Sequence, residues 1–149
     1  MTINELIKKP VEIVVENNIT EDIVSSDSVA SKLLEKAKDV KDALDFLVVY
    51  TDKDKKIKAV ITSREISKLI DILSEKKKKL DDIKIQELDL ERLFPARFVV
   101  NKEKATVGNV LDILRTDLTD TVVVQDNSEV YVGKVKRNQL RKRMQILLE

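Results

Sequence analysis

Apolar and polar positions along this chain fall into two similar series. The first, Asp45 to Ile66, reads DFLVVYTDKDKKIKAVITSREI. The second, Asp120 to Leu140, reads DTVVVQDNSEVYVGKVKRNQL. Each holds an aspartate, a short apolar run, a polar turn, a second apolar run with alternation, and the start of an amphipathic helix. Period-two alternation predicts strands, and the turn residues between them predict a hairpin. Asp52-Lys53-Asp54-Lys55 and Asp126-Asn127-Ser128 supply the turn chemistry. Leu47-Val48-Val49 and Val122-Val123-Val124 are apolar throughout, which predicts strands covered on both faces.

The correspondence extends upstream. DSVASKLLEKAK (Asp27 to Lys38) parallels ATVGNVLDILRT (Ala105 to Thr116). Helical spacing joins Val29, Leu33, Leu34 and Ala37 in one, and Val107, Val110, Leu111 and Leu114 in the other. Asp27 or Ser28, and Thr106, are the expected N-caps. A short extended piece precedes each helix, at Asp22-Ile23-Val24 and at Phe98-Val99-Val100. Downstream, Ile66, Leu69, Ile70 and Leu73 form one apolar stripe, and Leu140, Met144, Ile146 and Leu147 another. The fold class is therefore α/β, with the order β-α-β-β-α twice. The first repeat, with a lead-in, is expected over residues 1–80 and the second over 81–149. Val11 to Val15 reads as a strand by composition, or as helix continuing past Pro10 from Ile3, Leu6 and Ile7; the helical reading is preferred. Ile83 to Phe94 is the equivalent lead-in to the second half.

Composition narrows the chemistry. The 149 residues are 42% hydrophobic and 37% charged, the composition of a globular protein. The formal net charge is +1, so attraction to nucleic acid or anionic membrane is not a global property. The sequence has neither cysteine nor histidine. That excludes disulfides, thiolate nucleophiles, Cys-ligated zinc and every Ser-His or Cys-His pair. Only two glycines occur, Gly108 and Gly133, too far apart for a phosphate loop. The N-terminus lacks the pattern of a signal peptide and no run reaches the length of a membrane helix, so a cytoplasmic location is expected. No motif points to an enzyme, a catalytic residue, a metal or a resident cofactor.

The strand-to-helix junctions carry a resemblance. The first reads Ala59-Val60-Ile61-Thr62-Ser63-Arg64-Glu65, the second Gly133-Lys134-Val135-Lys136-Arg137-Asn138-Gln139. In register, with matching upstream helices, they resemble the tandem CBS domain pair, or Bateman module, over nearly the whole chain from about Thr20. The resemblance implies two repeats packed about a pseudo-twofold axis, with two clefts that take adenosine compounds such as AMP, ADP, ATP or S-adenosylmethionine. It further implies that a Thr/Ser hydroxyl meets phosphate and an Asp carboxylate meets the ribose hydroxyls. Carried over, Thr62 and Arg64 meet phosphate, Glu65 meets ribose, and Lys136, Arg137 and Gln139 line the second cleft. The sequence departs from the pattern at Ala59 for Gly, Glu65 for Asp, Lys136 for Thr/Ser and Gln139 for Asp. Lys136 and Arg137 are cations suited to phosphate.

The same residues have plainer readings. Thr62-Ser63-Arg64-Glu65 is also a capping box at the start of an apolar-periodic helix. Lys134, Lys136, Arg137, Arg141, Lys142 and Arg143 read first as a solvated helix face, then as an anion site or a nucleic-acid contact, though nothing nearby offers an aromatic stacking platform. Lys76 to Lys79 reads as a solvated helix end. Tyr50 and Tyr131 read as partly buried strand residues, and Phe94 and Phe98 as core. Asp81-Asp82 and Asp52/Asp54 read as turn residues rather than a magnesium site. The expected function is a non-catalytic regulatory module sensing an adenosine-type nucleotide, a homodimer acting on a regulated partner protein. The alternative is a ligand-free scaffold that dimerises or docks, with Ile70, Leu73, Leu147 and Leu148 as its apolar surface.

Overall fold

The computed structural model describes every residue except 18–22, 43–45, 51–53 and 117–118, and for 40–42 and 46–50 it describes the backbone alone. In chain order the elements are α1 (Ile3–Leu6), β1 (Ile23–Ser25), α2 (Ala30–Asp42), β2 (Phe46–Tyr50), β3 (Ile57–Thr62), α3 (Ile66–Ser74), α4 (Leu90–Leu93), β4 (Val99–Asn101), α5 (Val107–Thr116), β5 (Thr121–Gln125), β6 (Tyr131–Lys136) and α6 (Arg137–Leu148). Short 3-10 helices lie at Val11–Val14, Leu80–Asp82 and Ile85–Leu88.

The β-α-β-β-α order predicted from periodicity is present twice. Each repeat builds a three-stranded sheet, ordered β1-β2-β3 and β4-β5-β6. The first two strands of each are parallel and the last two antiparallel. Both hairpins carry an irregularity at the same place, Val49/Tyr50 and Val124/Gln125. Val122, Val123 and Val124 are all buried, as their unbroken apolar run predicts. Asp45, Asp22, Asp52, Lys53 and the side chains of Leu47, Val48, Val49 and Tyr50 lie outside the described residues.

The turns achieve their reversal without glycine. Lys55 and Glu129 occupy the same place in their hairpins, with φ of 60° and 65°. Asp54 and Asp126 accept backbone N–H bonds from Lys56 and Ser128, at 3.2 and 2.8 Å. A side chain at positive φ is strained, whereas glycine adopts it freely. Glu129→Gly should therefore stabilise the protein by about 0.5–1 kcal/mol, read as a raised urea midpoint. A lowered midpoint would show that the exposed Glu129 side chain contributes more than the strain costs.

Residues Thr20–Arg97 form one compact unit; Met1–Ile19 and Phe98–Glu149 form the other. The sequence suggests a boundary at residue 80, with each lead-in beside the repeat it precedes. In the folded chain the backbone hydrogen bonds of each lead-in go to the other repeat. Val11 N–H donates to the Ala105 carbonyl at 3.0 Å, and Val107 N–H to that of Lys9 at 2.9 Å. In the other unit, Ile85 N–H donates to the Ser28 carbonyl at 2.8 Å, and Ala30 N–H to that of Ile83 at 2.7 Å. The expected helix past Pro10 is the 3-10 helix Val11–Val14, and its counterpart is Ile85–Leu88. Fixed φ at Pro10 starts that turn without donating an N–H.

Each unit has its own core. Leu33, Ala37, Ile61, Leu69 and Leu73 pack with Ile85 and Phe94 in one. Val107, Val110, Val122, Val124 and Leu140 pack with Leu6 and Val11 in the other. Phe94 is fully buried as expected, while Phe98 is half-buried, with φ of 57°. Tyr131 is buried. Ile146 is 62% exposed, not part of the stripe. Six residues at 3.6 per turn place it about 120° around the helix from Leu140. Thr106 caps α5 reciprocally: its Oγ1 accepts from Asn109 N–H at 3.2 Å, and Asn109 Oδ1 accepts from Thr106 N–H at 2.8 Å.

Candidate functional site

The first junction gathers its polar groups tightly. Thr62 ends β3, a turn follows, and α3 begins at Ile66. Glu65 N–H donates to the Thr62 carbonyl at 3.0 Å, which brings the carboxylate back over the strand end. Glu65 Oε1 then accepts from the Thr62 hydroxyl at 3.0 Å and from the Thr62 N–H at 3.3 Å. This is one half of a capping box, since no side chain caps the N-terminus of α3. The other carboxylate oxygen, Oε2, pairs with Arg97 at 2.5 Å. Glu65 is 18% exposed and Arg97 49%. Arg64 is exposed on the same turn. The structure thus joins Thr62 and Glu65 directly and adds Arg97, which sequence reading missed. Arg97 lies 32 positions from Glu65, so no local motif links them.

The second junction differs because α6 begins at once, at Arg137, with Lys136 at its N-cap. Arg137 is turned back towards the end of α5. Its guanidinium donates to the Leu114 carbonyl, to the Thr119 carbonyl at 2.9 Å and to Asp120 Oδ1 at 3.1 Å. A cation on the last carbonyls of a helix satisfies orphan acceptors and complements the dipole. Lys136 is half-buried and Gln139 exposed. Gln139 lines a groove of about 220 Å³ with Ile13, Val14, Val15, Glu16 and Arg143. Arg143, rather than Arg137, is therefore the arginine that shares a groove with Gln139.

The lead-in forms that groove because Gly133 lets it approach. Glu16 and Lys134 exchange backbone hydrogen bonds at 2.8 and 3.0 Å. A Cβ on Gly133 would lie 2.5 Å from the Glu16 carbonyl oxygen. Lys134 is a buried strand residue, not part of a solvated helix face, because this pairing covers it. The apolar surface expected for docking is also largely spent on the cores. Leu73 is buried, and Ile70, Leu147 and Leu148 are half-buried against their own clusters. Among the described residues no group of three or more His, Cys, Asp or Glu side chains is arranged to hold a metal. No helix among them is long and apolar enough to cross a membrane.

Two mixed sheets, repeated element by element with matching junctions, define the fold of a tandem CBS domain pair. A CBS domain protein from Streptococcus pneumoniae TIGR4 shares it at TM-score 0.65 and 17% identity, over 93% of this chain and 88% of that one. CBSX2 in complex with AMP matches at TM-score 0.62 and 16% identity, over 93% and 98%. The CBS domain of a bacterial CNNM/CorC family Mg2+ transporter in complex with ATP matches at 0.61 and 16%, over 99% and 93%. No protein-family model and no curated protein matches the sequence.

Proposed function

We propose that the protein is a non-catalytic regulatory module that senses an adenine nucleotide. The observation that carries this reading is the Thr62–Glu65–Arg97 cluster: a hydroxyl, a carboxylate and a guanidinium held together at the end of β3. These are the groups that a nucleotide requires. A carboxylate accepts from two ribose hydroxyls, and a guanidinium takes phosphate oxygens in bidentate fashion. Two of the solved structures with this fold hold AMP and ATP. In this reading Glu65 exchanges its bonds to Thr62 and Arg97 for ribose, while Thr62, Arg64 and Arg97 turn to phosphate. Arg97 is half-exposed, so its guanidinium lies within reach of an incoming phosphate. Lys136 and Gln139 remain the proposed lining of the second site, and Arg143 takes the place of Arg137, which is turned back to the end of α5, as its phosphate-facing cation. A cytoplasmic homodimer, with a regulated partner protein, completes the proposal. Exposed Ile3 and Ile146 supply apolar surface for that association.

Nucleotide binding acts as a signal only if it favours one conformation over another. A thermal-shift series with AMP, ADP, ATP and S-adenosylmethionine tests the reading. Ligand at about 100 times its dissociation constant adds ~2.7 kcal/mol of stability. Thr62→Ala with Glu65→Ala should abolish the response of the first site. Arg97→Ala separates the roles further. AMP affinity should fall about tenfold, the typical worth of a charge-assisted contact, while adenosine, lacking phosphate, should bind at least as well as before. Unchanged AMP affinity in both variants sinks the assignment.

A second reading is favoured by the same bonds seen from the other side. Glu65 and Arg137 are both satisfied by partners within the protein, as in a ligand-free scaffold. No thermal response to any nucleotide, together with a stable dimer by light scattering, would select it.

A further inference from the structure

The two units differ at one lead-in position. In the unit Thr20–Arg97, the Phe94 carbonyl accepts from Val60 N–H at 3.3 Å. The matching bond in the other unit runs from Lys134 N–H to the Glu16 carbonyl, at 3.0 Å. Glu16 therefore stands where the first unit has Phe94. The phenyl ring is fully buried in its core. The glutamate instead lines the groove that holds Gln139 and Arg143. The junctions show the reverse exchange. The first has a carboxylate at Glu65, while the second has neutral Gln139 in that place. The second unit thus brings a carboxylate to its groove from the lead-in, where the first brings one from the junction.

Glu16 is held in place but left unsatisfied. Its main chain exchanges two hydrogen bonds with Lys134, at 2.8 and 3.0 Å, so the side chain starts from a fixed backbone. Its Oε1 is buried and has no hydrogen-bond partner among the described residues. A buried acceptor without a donor is costly, and more so when it is charged. A bound hydroxyl would supply the donor. Arg143, in the same groove, offers the opposite charge to a phosphate. The groove holds about 220 Å³. That is below the ~300–1,000 Å³ of pockets that enclose a whole ligand, so it suits a sugar and phosphate rather than an entire nucleotide.

We infer that Glu16 is the ribose acceptor of the second site, in place of the aspartate that Gln139 replaces. The inference rests on the nucleotide-sensing reading above. The Glu16 carboxylate accepts from the 2′- and 3′-hydroxyls, and Oε1 gains the donor it lacks. Arg143 faces the phosphate. The second site therefore selects ribonucleotides over their 2′,3′-dideoxy forms through a residue of the opening segment.

Isothermal titration of the full chain with AMP and with 2′,3′-dideoxy-AMP tests the inference, in a Thr62→Ala, Glu65→Ala background that silences the first site. AMP should bind about tenfold more tightly than the dideoxy form, the worth of a charge-assisted contact. Glu16→Gln should remove that preference by weakening AMP alone. Adding Gln139→Asp to Glu16→Gln should restore it, because a carboxylate returns to the same groove. In the absence of nucleotide, Glu16→Met should raise the urea midpoint by removing the unpaired oxygen. A midpoint that does not rise would show that the oxygen is already engaged, and overturns the inference. So does an AMP preference that survives Glu16→Gln, or equal weakening of both ligands, which marks a structural role. Silence of the background towards AMP overturns it too, and the wild type then separates the two readings. If the wild type still responds to AMP, the first site stands and only the role of Glu16 fails; if it does not, nucleotide sensing itself fails.

Discussion

Replacing Gly133 with alanine should detach the lead-in from the second repeat and cost about 3 kcal/mol of stability. The added Cβ would stand 2.4 Å from Val15 Cγ1 and 2.5 Å from the Glu16 carbonyl oxygen. The valine can rotate, but the carbonyl belongs to backbone fixed by two hydrogen bonds to Lys134. Overpacking of this kind costs about 1–3 kcal/mol, and each lost bond adds ~1 kcal/mol. Urea unfolding gives the size of the effect. Limited trypsin digestion gives its place, since cleavage after Lys8 should accelerate once the segment lifts; the Lys9–Pro10 bond resists trypsin. The matching position in the first repeat, Ala59, carries a Cβ and is fully buried, so Ala59→Gly tests the opposite sign. It should cost about 1 kcal/mol through chain entropy and a lost methyl. An unchanged midpoint for Gly133→Ala would mean that Val15 and Glu16 do not lie against β6.

Phe94→Ala should be the most damaging single change in the other unit. Among the described residues Phe94 is the largest fully buried side chain, at 0% exposure. It closes the core formed by Ile61, Leu69 and Ile85, and its carbonyl accepts from Val60 N–H at 3.3 Å. Lys68 Nζ sits 5.5 Å from the ring centroid. Removing a buried phenyl group costs about 3–5 kcal/mol, through lost transfer energy and the cavity left behind. Against a typical total of about 5–15 kcal/mol, that is a large share. Denaturant unfolding measures it directly. Phe94→Leu should recover more than half of the loss; failure to do so would show that the ring's shape, not its burial, is what matters.

Periodicity made the repeats legible. Val122 to Val124 read as a covered strand, and Leu33 with Ala37, or Val110 with Leu114, as helix faces. The hairpins followed from aspartates at their turns. What periodicity does not encode is which repeat a lead-in joins. Pro10 to Glu16 and Ile83 to Phe94 are short, and each meets its sheet through backbone bonds that any side chain permits. The glycine that admits one of them, Gly133, was visible as a motif position, but its reason is steric and appears only when Glu16 is in place. The site divides the same way. Thr62 and Glu65 are three apart and meet through a local turn, so the sequence pairs them. Arg97 reaches Glu65 only through tertiary folding. Arg137 reads from sequence as a cation for phosphate, whereas its place at the end of α5 depends on the length of the loop between α5 and β5.

The crossed lead-ins also set an order of assembly during synthesis. Residues 20–97 hold every segment of their unit in one continuous stretch, so that unit can close as soon as its last residue leaves the ribosome. The opening segment has no such option. Its partners, Thr106 and Lys134, are made about 100 residues later, several seconds at ~5–20 residues per second. Until then Leu6, Val11 and Val14 must wait without their core. The nascent chain therefore exposes an apolar N-terminal stretch beside an already folded domain, and chaperone demand should be greatest in that interval.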